Sequence, residues 1–411
     1  MTTPAFVIVG GGQSGAWAAR TLRSEGYEGR IVLVSEELHA PYERPPLSKE
    51  ILLGTGTVAD LTIISHDELV DLGVEVLVGL RATELDREAH TVTLSNGHVI
   101  VYDKLTLCTG GRARRLDLPG IDTSRVHTLR TLDDALSLKK ALEDNPGHVL
   151  IIGGGWIGLE VAASARALGC AVTVLEAADR LCARSVTPEV SESLLELHSA
   201  QGVSVRLATS VTQGITGPHG FTVTLSDGST LDSQHMIQAA GLIANDELAA
   251  EAGLSCANGV LVNPQCRTSD ADIFAAGDVA VLDTSLPGVR MRLESWHNAQ
   301  DQGVAVARSM LGLPVEYRPV PMVWSQQFEH FIQISGHPQV GQGDVITRPA
   351  GTGRLHFYQD ETGRVIGAIG FNAGRDFRFA RQLVERNVYV PTDALADEAR
   401  SLKSLLDTAN R

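Results

Sequence analysis

One pattern occurs twice in this chain, and it leaves few folds open. Residues 5–15, AFVIVGGGQSG, run an apolar strand into Gly10-x-Gly12-x-x-Gly15, and the helical stretch AWAARTLRSEG follows. A second short strand, RIVLVSEE, ends at Glu36. Residues 149–158, VLIIGGGWIG, repeat the scheme with Gly153-x-Gly155-x-x-Gly158, then the helical LEVAASARALGC and the strand AVTVLEAADR, which ends at Glu176. In such a βαβ unit the first glycine permits a tight turn. The second lets backbone approach a pyrophosphate, and the third lets helix meet strand. The helix N-terminus attracts phosphate charge, and the terminal acid accepts hydrogen bonds from a ribose diol.

The duplication runs further. HTVTLSNGHVIVYDKLTLCTGG (90–111) alternates around Asn96-Gly97, and FTVTLSDGSTLDSQHMIQAAG (221–241) does the same around Asp227-Gly228. Each reads as a hairpin followed by an apolar closing strand. Each half is therefore an α/β unit of Rossmann type with an antiparallel β insert. TLRTLDDALSLKKALEDNPG (128–147) reads as a linking helix with Thr131 as N-cap and Gly147 past its end. Beyond residue 319 the chain alternates like strands, and RDFRFARQLVERN then reads as a helix, which predicts a small C-terminal α+β domain. The predicted division is 1–111 with 241–319, then 112–240, then 320–411.

Bulk properties exclude several classes. At 411 residues the chain is too long for one ordinary core. A net charge of −15 argues against general binding to nucleic acid or to an anionic membrane. No apolar run reaches the ~18 residues that a spanning helix needs, and no signal-peptide pattern precedes AFVIVGGG. Cys108, Cys170, Cys182, Cys256 and Cys266 are scattered without C-x-x-C spacing, which fits a reducing, cytoplasmic compartment. No His/Cys/Asp set has ligand spacing, so no metal is expected. His297 reads as structural.

Two further motifs separate the nucleotides. TSDADIFAAGDVA (268–280) and TLCTGG (106–111) resemble motifs of the FAD-dependent pyridine-nucleotide reductases. The resemblance implies a glutathione-reductase-like fold, with Asp278 on the flavin ribitol and Thr109 and Gly110 beside the cofactor. The first unit would hold FAD through Gly10, Gly12, Ser14, Gly15 and Glu36. The second would hold NADH through Gly153, Gly155, Trp156, Ile157 and Gly158. Glu176 suits a free 2′-hydroxyl and opposes a 2′-phosphate by like-charge repulsion. Arg180 and Arg184 follow closely and can hold a phosphate; Arg184 is kept among the nucleotide contacts.

The loop APYERPPLSKE (40–50) narrows the resemblance. Disulfide reductases of this superfamily carry a redox cysteine pair after the FAD ribose strand, whereas this chain has no cysteine before Cys108. Together with GGGWIGLE, LESWHNAQDQG and PMVWSQQF, the loop resembles the ferredoxin reductase components of Rieske-type ring-hydroxylating oxygenases. Putidaredoxin-reductase-like partners of cytochromes P450 are nearly as similar. The resemblance implies that Lys49 lies near flavin N5 and pairs with Glu160, and that Arg44 and Pro45 touch the cofactor. ESWHNAQDQGVAVARSML reads as a helix starting near Ser295, whose amides and positive end can stabilise an anionic flavin N1–O2 edge, with Trp296 and Gln300 placed there; the resemblance puts Trp324 near the ring. Two departures stand out: Ser325-Gln326-Gln327 replaces Ser-Asp-Gln, and GLIAN replaces Gly-x-x-Pro-Asn. The implied reaction is hydride transfer from NADH to FAD, then single electrons to a [2Fe–2S] ferredoxin, in a monomer or homodimer. The Arg112/Arg114/Arg115 and Arg375/Arg378/Arg381/Arg386 clusters are candidate docking faces. A rubredoxin acceptor, an NADH oxidase or peroxidase, and an NADH-sensing flavoprotein of the apoptosis-inducing-factor type are the alternatives.

Overall fold

In a computed structural model that describes residues 5–409, both glycine patterns open helices. The chain divides into two compact units: residues 1–43, 58–112 and 243–322 form one, and residues 44–57, 113–242 and 323–411 form the other.

The first unit is organised on a sheet in the order Val74–Val78, Ile31–Ser35, Ala5–Val9, Val99–Leu107, Thr91–Leu94, Ala82–Asp86, with Ile273–Ala275 also paired to Val99–Leu107. Ala5–Val9 lies parallel to both of its neighbours and is buried along its whole length, which is why it reads as a continuous apolar run. Val99–Leu107 changes role along its length. Its start pairs antiparallel with Thr91–Leu94 and its end pairs parallel with Ala5–Val9. The hairpin turn at Asn96-Gly97 forms as its sequence dictates: Gly97 has φ 82°, and Asn96 Oδ1 accepts the His98 amide. Helix Gln13–Ser24 is fixed to helix Trp296–Met310 through Gly303, where a Cβ would collide with the Ser14 carbonyl.

The second unit repeats the plan. A parallel sheet runs Val203–Arg206, Ala171–Leu175, His148–Ile152, His235–Gln238, and Val211–Gly217, Gly220–Leu225 and Thr230–Ser233 form the antiparallel insert. Helix Leu132–Asp144 begins in a capping box between Thr131 and Asp134. A five-stranded sheet follows, in the order Met322–Gln327, His330–Gly336, Val365–Phe371, Gly353–Gln359, Gln342–Ala350, with helix Gly374–Glu385 after it. Leu159, Leu181, Val190 and Leu194 share one apolar cluster with Ile332, Ile334, Tyr358 and Ile369, so this sheet packs into the nucleotide-type fold of the same unit. Segment 44–57 groups with this unit and not with the residues that flank it in the chain.

Several buried histidines are held neutral. Burial, with Arg354 nearby, lowers His356 to about 4, and His127, His198 and His337 are lowered below 6.5 chiefly by burial. A lowered histidine contributes stability that is complete above pH 6.5 and is lost as pH falls toward the folded value. Each such group adds at most about 1.4 kcal/mol per pH unit in that window. The melting temperature should be flat between about pH 7 and 8, below the range where the raised cysteines matter, and fall between pH 6.5 and 4. The fall should be shallower for His356→Leu, and equal slopes in the two proteins would contradict the assignment.

Candidate active site

The two glycine loops have the same steric design. Gly10 and Gly153 adopt φ 121° and 115°, a region closed to other residues, and a Cβ on either would strike the carbonyl of Cys108 or Ala239. A Cβ on Gly15 would strike the Gly10 carbonyl, and one on Gly158 the Gly153 carbonyl. Gly12 and Gly155 are different: a Cβ there meets nothing within 4 Å. These two are the N-caps of helices Gln13–Ser24 and Trp156–Ala167, and neither helix end receives a side-chain cap. Each loop is thus a bare backbone cradle at a positive helix end, open on the side where the middle glycine stands, and a dinucleotide pyrophosphate fits it.

Around the first cradle, Ser14 Oγ donates to the Ala299 carbonyl at 2.8 Å and Gln13 Nε2 to the Trp296 carbonyl at 2.9 Å. Ser295 caps helix Trp296–Met310 by accepting the Asn298 amide. Fully buried Gln302 accepts the Gly277 amide at 2.9 Å and so anchors the turn that carries half-buried Asp278. Thr109-Gly110 is clamped by Asn245, which donates its amide to the Gly110 carbonyl and its side chain to the Thr109 carbonyl, while Thr109 Oγ1 donates back to the Asn245 carbonyl. The GLIAN departure therefore leaves the asparagine at work. Glu36 stands exposed just past its strand. The first unit thus brings together Gly10, Gly12, Ser14, Gly15, Thr109, Gly110, Asp278, Ser295 and Trp296.

The second unit holds Arg44, Pro45, Lys49 and Trp324 with the second cradle. Pro45 and Pro46 open a single 3-10 turn, where a missing N–H costs nothing, and Arg44 donates to the Arg130 carbonyl. The turn delivers Lys49 to helix Trp156–Ala167. Lys49 Nζ lies 2.7 Å from Glu160 Oε2, and both side chains are less than a tenth exposed. Ser48 Oγ also donates to Glu160 Oε2, and Ser164 Oγ donates to the Ser48 carbonyl at 2.6 Å. Glu160 and Ser164, four apart on one helix face, thus grip the Ser48-Lys49 link from one side. The Trp324 ring centroid is 5.2 Å from Lys49 Nζ, a cation–π contact. Ser325 Oγ donates to Glu160 Oε1 at 2.7 Å.

Glu176 Oε2 accepts the Gly154 amide at 2.7 Å and Oε1 accepts the Ala178 amide at 2.8 Å, so this carboxylate stands against the second glycine loop. Arg180 is committed to the Val186 and Ala183 carbonyls and to Ser191 Oγ, whereas the Arg184 side chain is exposed. Trp156 is half-buried, and Ile157 is 44% exposed at the helix start. None of the five cysteines is in a disulfide, and burial pushes the Cys108 thiol up to about 12 and the Cys182 thiol higher still. Among the described residues no group of three or more His, Cys, Asp or Glu side chains could hold a metal ion, and no helix is long and apolar enough to cross a membrane.

Ser48, Ser164, Ser325, Gln327 and Asn245 escaped sequence reasoning as site residues. For two of them the signal appears only in the fold. In strand Met322–Gln327 the buried positions Ser325 and Gln327 alternate with exposed Gln326, so polar side chains occupy a core-facing row.

Two open glycine cradles, one in each unit, and a buried lysine–carboxylate couple in the second are the features of a pyridine-nucleotide oxidoreductase. The chain belongs to the pyridine nucleotide-disulphide oxidoreductase family, whose model matches residues 4–303, and the reductase C-terminal model matches residues 322–406. It is 37% identical over 388 residues to the 3-phenylpropionate/cinnamic acid dioxygenase ferredoxin–NAD(+) reductase component of Photorhabdus laumondii subsp. laumondii, covering 93% of this chain and 97% of that one. It is likewise 37% identical over 401 residues to the benzene 1,2-dioxygenase system ferredoxin–NAD(+) reductase subunit of Pseudomonas putida, covering 97% of each. Among solved structures, the ferredoxin reductase for the CYP199A2 system from Rhodopseudomonas palustris matches with a TM-score of 0.93 at 36% identity, covering 98% of this chain and 99% of that one. The covalent putidaredoxin reductase–putidaredoxin complex matches with a TM-score of 0.94 at 32% identity over all of both chains.

The cradle sterics separate two kinds of glycine. Gly15→Ala and Gly158→Ala force backbone apart and should lower the melting temperature by several degrees or abolish soluble expression. Gly12→Ala and Gly155→Ala should leave the cofactor-free melting temperature within about two degrees, where one degree corresponds to about 0.9 kcal/mol at ~2.1 cal/mol/K per residue in a chain this size. Equal losses at all four positions would contradict the cradle assignment.

Proposed function

We propose that this protein is an NADH-dependent FAD flavoprotein that passes single electrons to a [2Fe–2S] ferredoxin serving a Rieske-type oxygenase. The observation that carries this reading is the buried Lys49–Glu160 pair, set in a loop where disulfide reductases need cysteines. In this reading 1–111 and 241–319 hold FAD, 112–240 hold NADH, and 320–411 form the C-terminal domain.

FAD would be held by Gly10, Gly12, Ser14, Gly15, Glu36, Arg44, Pro45, Lys49, Thr109, Gly110, Asp278, Ser295, Trp296 and Trp324. When bound it supplies a two-electron acceptor whose electrons can leave one at a time. Lys49 would place its ammonium beside the bound ring, where a cation stabilises the negative charge that a hydride brings. Glu160 keeps that ammonium from being an isolated buried ion, which would be costly. Gly153, Gly155 and Gly158 would seat the NADH pyrophosphate, Trp156 and Ile157 would flank it, and Glu176 would accept from the ribose hydroxyls. Against a 2′-phosphate the same carboxylate repels, and with Arg180 tied to main-chain carbonyls only Arg184 is left to oppose that repulsion.

Electrons then leave by an outside acceptor, because the loop offers no thiol and burial raises the Cys108 and Cys182 thiols well above the ordinary range. The unpaired cysteines also fit a reducing cytoplasm. The relatives named for dioxygenase systems favour a Rieske-type oxygenase as the final destination. The solved structures named for a CYP199A2 system and for putidaredoxin support a second reading, in which the ferredoxin serves a system of that kind.

Three outcomes test the proposal. NADH should reduce cytochrome c rapidly only when a [2Fe–2S] ferredoxin is added, and equal rates without it would favour an oxidase or a sensing role. Lys49→Ala should slow stopped-flow flavin reduction by NADH at least tenfold; an unchanged rate would sink the lysine assignment. Glu176→Ala should narrow the preference for NADH over NADPH by about tenfold or more, given that removing a like-charge clash is worth more than ~1.4 kcal/mol.

A further inference from the structure

The Lys49–Glu160 pair is the end of a longer buried chain. Glu160 Oε1 accepts from Ser325 Oγ at 2.7 Å, Gln327 Nε2 lies 3.1 Å from Ser325 Oγ, and His198 Nε2 lies 2.9 Å from Gln327 Oε1. His198 and Gln327 are fully buried and Ser325 is 1% exposed. His198 belongs to helix Pro188–Ala200, on the stripe that buries Val190, Ser191 and Leu194. The chain thus joins that helix, the strand Met322–Gln327 and the helix Trp156–Ala167 within one unit.

One donor pattern satisfies every link. A carboxylate can only accept, so the Ser325 hydroxyl proton points at Glu160. Ser325 has no second proton and must accept from Gln327, which requires the amide nitrogen on that side. Gln327 then presents its oxygen to His198, whose Nε2 must carry the proton. His198 Nδ1 is consequently a lone pair, and it is buried with no partner. Burial lowers the histidine below 6.5, which favours the neutral ring, and the contact with Gln327 Oε1 selects the Nε2–H tautomer. The glutamine also settles what the chain does: an amide does not pass protons along readily, so the links transmit orientation.

We propose that His198 is a positioning residue for the Lys49–Glu160 pair, acting through Gln327 and Ser325. By fixing the Gln327 amide it leaves Ser325 one direction to donate, which holds Glu160 Oε1 and leaves Oε2 to Lys49 and Ser48. An unpartnered nitrogen in the core is a cost that a leucine would avoid, and the orienting role accounts for keeping it. The inference rests on the reading of Lys49 and Glu160 given above.

The test uses the purified, flavin-loaded protein and stopped-flow reduction at saturating NADH. His198→Met removes the donor at similar volume, and His198→Gln returns an amide nitrogen near the place of Nε2. His198→Met should slow reduction three- to tenfold with the KM for NADH within twofold, and His198→Gln should recover most of the loss. In a Glu160→Gln background His198→Met should add less than a twofold loss, because its effect runs through that carboxylate. A wild-type rate in His198→Met, no recovery in His198→Gln, or the same fold loss in both backgrounds would overturn the proposal. If His198→Met cannot be obtained loaded with flavin, Ser325→Ala, which changes volume little, is read by the same cycle. Glu160→Gln at the wild-type rate would overturn the reading of the pair itself, whereas slow Glu160→Gln with fast His198→Met would overturn only the role of His198.

Discussion

A lysine and a glutamate 2.7 Å apart, both nearly excluded from water, set the terms for the second unit. Neither charge is tolerable alone in such a place, and removing one partner costs about 3–5 kcal/mol. The surroundings are built to keep both. Prolines turn the chain so that Lys49 enters, two side chains of one helix face grip the Ser48-Lys49 link, and Trp324 presents its ring to the ammonium. Segment 44–57 therefore groups with 113–242 and not with the residues that flank it in the chain.

What the sequence made legible was whatever depends on backbone alone. The glycine triplets could be read directly, because Gly10 and Gly153 need positive φ, Gly15 and Gly158 need room against a carbonyl, and Gly12 and Gly155 stay open. The cap at Thr131, the helix start near Ser295 and the turns at Asn96-Gly97 and Asp227-Gly228 were readable for the same local reason. The closeness of Lys49 and Glu160 was not local. It was anticipated only through a family resemblance, since nothing in their spacing of over a hundred residues requires contact.

The buried polar chain lay further out of reach. Ser325, Gln327 and His198 come from two elements far apart in sequence, and each reads as an ordinary residue by itself. Their meaning appears only when donors and acceptors are counted together, a property of the folded interior. The same holds for Asn245: the GLIAN departure drew attention to a missing proline, whereas the asparagine beside it carries three hydrogen bonds to Thr109 and Gly110.

The family takes its name from disulfide chemistry, yet this chain places a paired lysine where that chemistry would need thiols, and its Cys108 and Cys182 thiols are buried and raised well above the ordinary thiol range. The protein's electron capacity is therefore that of its flavin alone. Anaerobic titration of the purified protein with dithionite, followed by flavin absorbance, should reach full reduction at two electrons per chain. An end point at four electrons would reveal a redox-active disulfide and contradict the account at its centre.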